Sequence, residues 1–152
     1  ALAGYPLGLD FLFLDPAREA PAGQVATVVH GEFTDPQILK WLSRESQVLT
    51  FDWENVSVEA LRKHAGGARR ARICPPATAL AVAQDRVAEK RLFERLRIPT
   101  TRWRAVGSQA ALERALREIG VPGVLKTRRM GYDGKGQIRI RTREDAQRAV
   151  GG

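Results

Sequence analysis

The first part of the chain alternates short apolar runs with segments of helical periodicity. "LDFLFLDP" (9–16) is a continuous apolar run, typical of a strand that is buried on both faces. "QVATVVHGEF" (24–33) predicts a weaker second strand, and "QVLTFDW" (47–53) predicts a third. The helix that precedes the third strand is expected to begin after Thr34 or Asp35, both of which are good N-cap residues. Short connections between such elements predict βα units and a parallel sheet.

The second part of the chain continues this mixed pattern after a long predicted helix. "TALAVAQDRVAEKRLFERLRIP" (78–99) carries apolar residues at helical spacing and ends at Ile98-Pro99, where we place a domain boundary. "GVLKT" (123–127) and "QIRIRT" (137–142) predict two further strands, each next to a helical segment. We therefore expect a second α/β unit beyond the boundary.

Composition narrows the class of protein. With 152 residues, 43% hydrophobic and 28% charged, the chain has the composition of a globular protein. No apolar run approaches the length of a membrane span, so no membrane partner is expected. Cys74 is the single cysteine and cannot form an internal disulfide, so a cytoplasmic setting is expected. The chain has no initiator methionine and ends just after a helical segment, and we interpret it as an excerpt from a longer protein.

The charge is distributed unevenly along the chain. Residues 1–60 carry three Lys/Arg and nine Asp/Glu, a net charge of −6. Residues 61–152 carry twenty-two Lys/Arg and eight Asp/Glu, a net charge of +14. Such asymmetry indicates a phosphate-bearing partner, either a nucleotide or a nucleic acid. The alternative is a basic solvated surface without a ligand.

The segment "KTRRMGYDGKGQ" (126–137) has the composition of an anion-binding loop. Its three glycines, at 131, 134 and 136, permit positive φ and close approach of the backbone to a ligand. Lys126 and Lys135 would reach phosphate oxygens as point charges. The pattern is neither a Walker A loop nor a dinucleotide fingerprint. The structural alternative is a plain β-hairpin with an Asp-Gly turn.

Two acidic stretches are weaker candidates. In "TFDWEN", Asp52 and Glu54 fall at the carboxyl end of a predicted strand, where residues two apart face the same way and ligands of parallel sheets bind. They would otherwise cap the following turn. In "QDRVAEK" (84–90), Asp85 and Glu89 stand four apart, as do Arg86 and Lys90, and the four side chains together predict an exposed, salt-bridged helix face. The two histidines lack partners at metal-ligand spacing, so no metal site is predicted. No catalytic nucleophile is predicted either.

"FDWENV", "QDRVAEK" and "VLKTRRMGYDGKGQ" occur in one order along the chain, and together they resemble the 5-(carboxyamino)imidazole ribonucleotide synthetase family of ATP-grasp enzymes. The resemblance implies a Rossmann-like, pre-ATP-grasp parallel-sheet domain over residues 1–98. It also implies that residues 99–152 form the first part of an ATP-grasp α+β domain. The glycine loop would be the flap that covers the phosphates.

The resemblance also implies an activity, which is ATP-dependent carboxylation of aminoimidazole ribonucleotide with bicarbonate through carboxyphosphate, in purine biosynthesis. Glu54, Tyr132 and Lys135 would contact the ribonucleotide. Many family members carry Arg where Lys135 stands, and this exchange keeps the charge but loses bidentate phosphate binding. The ATP contacts implied are Arg86, Lys126, Gly131, Tyr132, Asp133, Gly134, Lys135, Gly136 and Gln137.

Parts of the family pattern are not present in this sequence. They are the glycine-rich turn near the N-terminus and the later half of the ATP-grasp domain, with its magnesium ligands. We therefore expect Mg²⁺ ligands outside this chain and no turnover by the 152 residues alone. By resemblance the full-length protein would be a homodimer, and no nucleic-acid partner is expected.

Three other functions are alternatives to this activity. Another ATP-grasp ligase, such as the formate-using glycinamide ribonucleotide transformylase, would share the flap but not "FDWENV" or "MGYDGKGQ". A basic nucleic-acid-binding module would explain the charge of the second part. A catalytically inactive interaction domain is the third alternative.

Overall fold

The computed structural model describes residues 1–65, 71–131 and 134–149. The chain divides into two compact units, Ala1–Ala81 and Val82–Gly152, each described by itself below. No helix among the described residues is long and apolar enough to cross a membrane. The strands are β1 (Leu12–Asp15), β2 (Thr27–His30), β3 (Val48–Leu49), β4 (Arg72–Ile73), β5 (Gly123–Lys126) and β6 (Gln137–Ile140). The helices are α1 (Pro36–Glu45), α2 (Val58–Ala60), α3 (Ala77–Ala83), α4 (Arg86–Arg95), α5 (Gln109–Ile119) and α6 (Arg143–Arg148).

Parallel strand pairing in the first unit confirms the α/β prediction. β1 pairs with β2 from Leu12–Thr27 to Asp15–His30, and β3 pairs with β4. The four residues of β1 are half-buried, however, so the prediction of a strand buried on both faces is wrong. Among the described residues β1 has one ladder partner, β2, and a two-stranded ladder leaves part of each strand accessible.

The third strand is shorter than predicted because its partner strand ends early. The amide of Cys74 donates to the carbonyl of Leu49 at 2.9 Å, and Pro75 and Pro76 have no N–H to continue the ladder. The chain beyond β3 forms bends and turns instead. Asp52 and Glu54 therefore do not lie on a strand, and the prediction that strand geometry aims them the same way is wrong.

Helix α1 begins as the sequence predicts, and it contributes to the core of the first unit. The Asp35 carboxylate accepts hydrogen bonds from the amides of Gln37 and Ile38, at 2.8 and 3.1 Å, and Pro36 occupies the first helical position. Leu39 on the inner face of α1 is 3% exposed. The core around it consists of Leu39, Ala60, Leu61, Ala65 and Leu80.

The long helix predicted over residues 78–99 is two helices, so that prediction is wrong. α3 ends at Ala83 and α4 begins at Arg86. Asp85 between them has extended backbone angles, and its carboxylate accepts hydrogen bonds from the amides of Val87 and Ala88 at 3.0 and 3.2 Å. Asp85 is thus the N-cap of a new helix. It is only 2% exposed, so the prediction of an exposed salt-bridged face fails at this residue.

The second unit is an antiparallel hairpin packed against helices. β5 and β6 pair from Gly123–Ile140 to Lys126–Gln137. One face of the hairpin, with Ile140 at 1% exposure, packs on a core with Leu112 of α5 and Ala146 of α6. Because cross-strand partners point to the same side of a sheet, Lys126 and Gln137 lie together on the opposite face. They stand at the end of the hairpin from which the glycine loop leaves.

Candidate functional site

The glycine loop leaves the hairpin at a well-defined root. Lys126 and Gln137 are the last strand pair, and beyond them the amide of Thr127 donates to the carbonyl of Gly136 at 2.7 Å. The connection between the strands is therefore ten residues long, from 127 to 136. A tight Asp-Gly turn between paired strands, the structural alternative, is not what joins β5 to β6.

All three loop glycines are favoured by backbone conformation or by lack of space. Gly136 has φ of +66°, and a Cβ there would lie 2.5 Å from the Thr127 Oγ1. At Gly131 a Cβ would lie 2.7 Å from the same Oγ1 and 3.3 Å from the Arg86 Nη2. Gly131 and Gly136 thus both lie close against the Thr127 side chain. Gly134 has φ of +79°, which also favours glycine.

Asp85 joins the start of α4 to the beginning of the loop. Besides capping α4, its carboxylate accepts two hydrogen bonds from the Arg128 Nε, at 2.8 and 2.9 Å, and lies 2.7 Å from the Arg128 Nη2. The Arg129 Nη2 donates to the Asp85 Oδ2 at 3.1 Å. The hydrogen bond from Arg128 holds the pKa of Asp85 well below its ordinary value, although burial acts in the opposite direction. Asp85 is therefore an ionised, buried carboxylate with both of its oxygens engaged.

Arg86 makes a second connection between α4 and the loop. Its amide donates to the Arg128 carbonyl at 3.1 Å, and its Nη2 donates to the Gly131 carbonyl at 2.8 Å. Met130 lies between these two contacts with φ of +60°. A left-handed conformation in a non-glycine residue costs about 1 kcal/mol or more, and it persists where the surrounding contacts fix the backbone.

The structure gathers most of the predicted ATP-binding residues in the second unit. Tyr132 and Asp133 lie outside the described residues. Glu54 belongs to the first unit, where it lies in an exposed turn. The residues brought together around the loop and the start of α4 are Arg86, Lys126, Gly131, Gly134, Lys135, Gly136 and Gln137.

Sequence reasoning missed the residues that anchor the loop. The sequence pattern places Asp85 on an exposed helix face and indicates no individual role for Thr127, Arg128 or Arg129. One signal was present, because aspartate is a preferred N-cap and could have marked a helix start after Gln84. The pairing of Asp85 with residues more than forty positions away leaves no comparable signal in the sequence.

The described residues contain no group of three or more His, Cys, Asp or Glu side chains that could hold a metal ion. The acidic residue next to the loop, Asp85, already accepts hydrogen bonds from two amides and two arginines. The donor set around the loop is cationic and suits an anion.

The chain consists of a parallel-sheet unit followed by a unit with an antiparallel hairpin, helices and a glycine loop, and known families show the same order. Residues 1–84 match the ribonucleotide synthetase preATP-grasp domain, and residues 91–151 match the ATP-grasp domain. Since the first match covers more than half of the chain, the chain belongs to the ribonucleotide synthetase preATP-grasp family. The predicted family and fold class are confirmed.

Comparison with individual relatives shows which enzymes the chain is similar to. The chain is 42% identical to the N5-carboxyaminoimidazole ribonucleotide synthase of Pseudomonas aeruginosa, over 98% of this chain and 41% of the relative. The crystal structure of the synthetase from Thermus thermophilus has a TM-score of 0.85 at 46% identity, covering 97% of this chain and 39% of that one. A synthetase solved as an ADP complex has a TM-score of 0.86 at 32% identity, with the same coverage. The chain thus spans about two-fifths of the length of these relatives.

The glycine at 136 gives a direct test of the loop geometry. Gly136→Ala is expected to lower the free energy of unfolding by about 1–2 kcal/mol, because alanine is strained at positive φ and its Cβ would press on Thr127. Gly107→Ala is the matched control, since a Cβ at Gly107 meets nothing within 4 Å. Urea unfolding of the gene product measures both. Equal effects of the two substitutions would contradict the geometry described for the loop root.

The ionised state of Asp85 predicts a pH dependence of stability. Because the pKa of Asp85 is lower in the folded than in the unfolded chain, its contribution is complete above the unfolded value of about 3.9 and declines as the pH falls below it. At neutral pH, Asp85→Asn is expected to have an unfolding free energy about 1–2 kcal/mol lower than that of the wild type. The expected loss is no larger because both arginines are largely exposed and water screens their charge. Unfolding measured across pH checks this. A difference that stays constant down to about pH 3 would be incompatible with an ion pair.

Proposed function

We propose that the chain is the part of an ATP-grasp ligase that carries the phosphate flap, and that the complete enzyme carboxylates 5-aminoimidazole ribonucleotide in purine biosynthesis. The observation that carries this proposal is the similarity to N5-carboxyaminoimidazole ribonucleotide synthases along 98% of the chain. In the reaction, a bicarbonate oxygen attacks the γ-phosphorus of ATP, giving carboxyphosphate and ADP. The exocyclic amine of the ribonucleotide then bonds to the carboxyl carbon as phosphate leaves.

The geometry of the loop supports a nucleotide as its ligand. Lys126 and Gln137 stand side by side at the loop root, and Arg86 lies against Gly131. One Arg86 nitrogen donates to the Gly131 carbonyl, and a guanidinium has five N–H donors, so others can serve a phosphate. The related synthetase solved as an ADP complex supports the same kind of ligand.

Each predicted residue has a proposed role. Arg86 and Lys126 neutralise the phosphates, since phosphoryl transfer depends on positioning and charge neutralisation. Glu54, Tyr132 and Lys135 contact the ribonucleotide. The loop residues 131–137, with Asp133 among them, cover the phosphates and exclude water, because carboxyphosphate is labile in water.

The remaining features of the complete protein are also proposals. Its metal is Mg²⁺, which would neutralise charge on the ATP phosphates, and its ligands are expected outside this chain. We propose a cytoplasmic homodimer that uses bicarbonate and aminoimidazole ribonucleotide and has no nucleic-acid or membrane partner. We keep residue 98 as the proposed end of the first domain. Since this chain covers 41% of its relative, the 152 residues are proposed not to turn over alone.

Substrate-stimulated ADP release tests the proposed function. The complete gene product is supplied with ATP, magnesium and bicarbonate, with aminoimidazole ribonucleotide added or withheld. Stimulation of ADP release by the ribonucleotide, together with a carboxylated product, is the expected result. The isolated 152 residues in the same assay are expected to release no ADP.

Two outcomes would overturn the proposed activity, and a third would point to another class of protein. Stimulation by glycinamide ribonucleotide plus formate, but not by aminoimidazole ribonucleotide, would assign the chain to the sister ligase. The absence of ADP release with either substrate set would favour a catalytically inactive domain. Salt-sensitive binding to arbitrary DNA or RNA in place of ATP binding would favour a nucleic-acid module.

Lys126 provides a test that does not depend on turnover. Lys126→Met is expected to weaken binding of a non-hydrolysable ATP analogue to the gene product by roughly tenfold or more, because one cation next to the phosphates is lost. Arg139→Met is the matched control, since Arg139 pairs with Val124 and lies on the same face of the hairpin, farther from the loop. Titration calorimetry measures both affinities. Equal losses in the two variants would show that only net charge matters, and Lys126 would have no specific role.

A further inference from the structure

Asp85 is the only buried charged side chain among the residues that the structure describes. A carboxylate that served only as a helix N-cap would need no burial and no arginine partners, and asparagine would replace it at little cost. Burying the charge is unfavourable unless its lone pairs are engaged. Here the amides of Val87 and Ala88 donate to Oδ1 of the carboxylate, and Arg129 donates to Oδ2. Arg128 donates to both oxygens.

The two arginines are the residues through which the chain enters the glycine loop. Arg128 and Arg129 follow Thr127 at the hairpin root and precede Met130, whose φ is +60°. Asp85 therefore fixes the direction in which the loop leaves the sheet. Arg86, the next residue on α4, holds the loop again at the Gly131 carbonyl.

We propose that Asp85 is a positioning residue that latches the root of the glycine loop to the start of α4, so that Arg128, Arg129 and the Gly131 carbonyl keep their positions during the reaction. The proposal rests on the proposed carboxylation. With the latch intact, carboxyphosphate transfers its carboxyl group to the amine of the ribonucleotide. With the latch lost, water attacks carboxyphosphate to give bicarbonate and phosphate, and ATP is consumed without product.

The first measurement is the amount of carboxylated product formed per ADP released by the complete gene product. Asp85→Asn keeps a side-chain oxygen for the cap but removes the charge that holds both arginines. We expect the product per ADP to fall several-fold while ADP release without the ribonucleotide rises. Asp145→Asn is the matched control, because Asp145 also receives backbone hydrogen bonds at a helix start and pairs with Arg148, and these contacts lie outside the loop.

The second measurement is limited proteolysis, which does not depend on activity. Trypsin cuts after Arg128 and Arg129, and the cleavage rate of a folded protein follows the population of the opened segment. Mass spectrometry measures the rate of cleavage at these two bonds. In Asp85→Asn we expect this rate to rise roughly tenfold, because charge-assisted hydrogen bonds to the loop root are lost. Cleavage at the same bonds in Asp145→Asn is expected to match the wild type.

A third variant tests whether the effects of Asp85→Asn come from the lost ion pair and not from misfolding. Arg128→Gln breaks the same ion pair but leaves the Asp85 hydrogen bonds to Val87 and Ala88 in place, and it should reproduce the uncoupling. Arg128→Gln removes one trypsin site, so its cleavage is followed at the bond after Arg129. Coupling and cleavage after Arg129 that are unchanged in Arg128→Gln, or changed as much in Asp145→Asn, would overturn the latch. If the wild type shows no dependence on the ribonucleotide, the proposed function fails, while the proteolysis still decides whether the latch exists.

Discussion

The carboxylate of Asp85 is the constraint on which the second unit depends. A buried charge would cost several kcal/mol if it were unpaired, and it is tolerated because backbone amides of α4 and the guanidinium groups of Arg128 and Arg129 surround it. This one group starts a helix and orients the entrance to the glycine loop. It also places Arg86 where its side chain reaches Gly131.

The same contacts show that part of the positive charge in residues 61–152 is paired within the fold. Arg128 and Arg129 contribute to that charge, yet both are paired with Asp85. Lys126 lies on the solvent-facing side of the hairpin beside Gln137, and it is a better candidate for a phosphate contact than its two arginine neighbours. The basic character of this region therefore has a structural part, in the anchored arginines, and a part available to a ligand.

Much of the fold could be predicted because the signals for it are local. The Asp35-Pro36 helix start, the apolar strands β1, β2, β5 and β6, and the glycine positions follow from short-range conformational preferences. The length of β3 could not be predicted. It depends on Pro75 and Pro76 in the partner strand, which carry no donors for the ladder.

The sequence by itself determined the family, through three ordered motifs, and it identified the glycine-rich loop as the candidate anion site. Only the tertiary structure decided how that loop is held. The cap that Asp85 provides is local, but whether its carboxylate also holds the loop depends on Arg128, 43 residues later, and local helix propensity carries no information about that contact. The choice follows from the cost of burying a carboxylate, which is offset only when the folded chain brings its donors together.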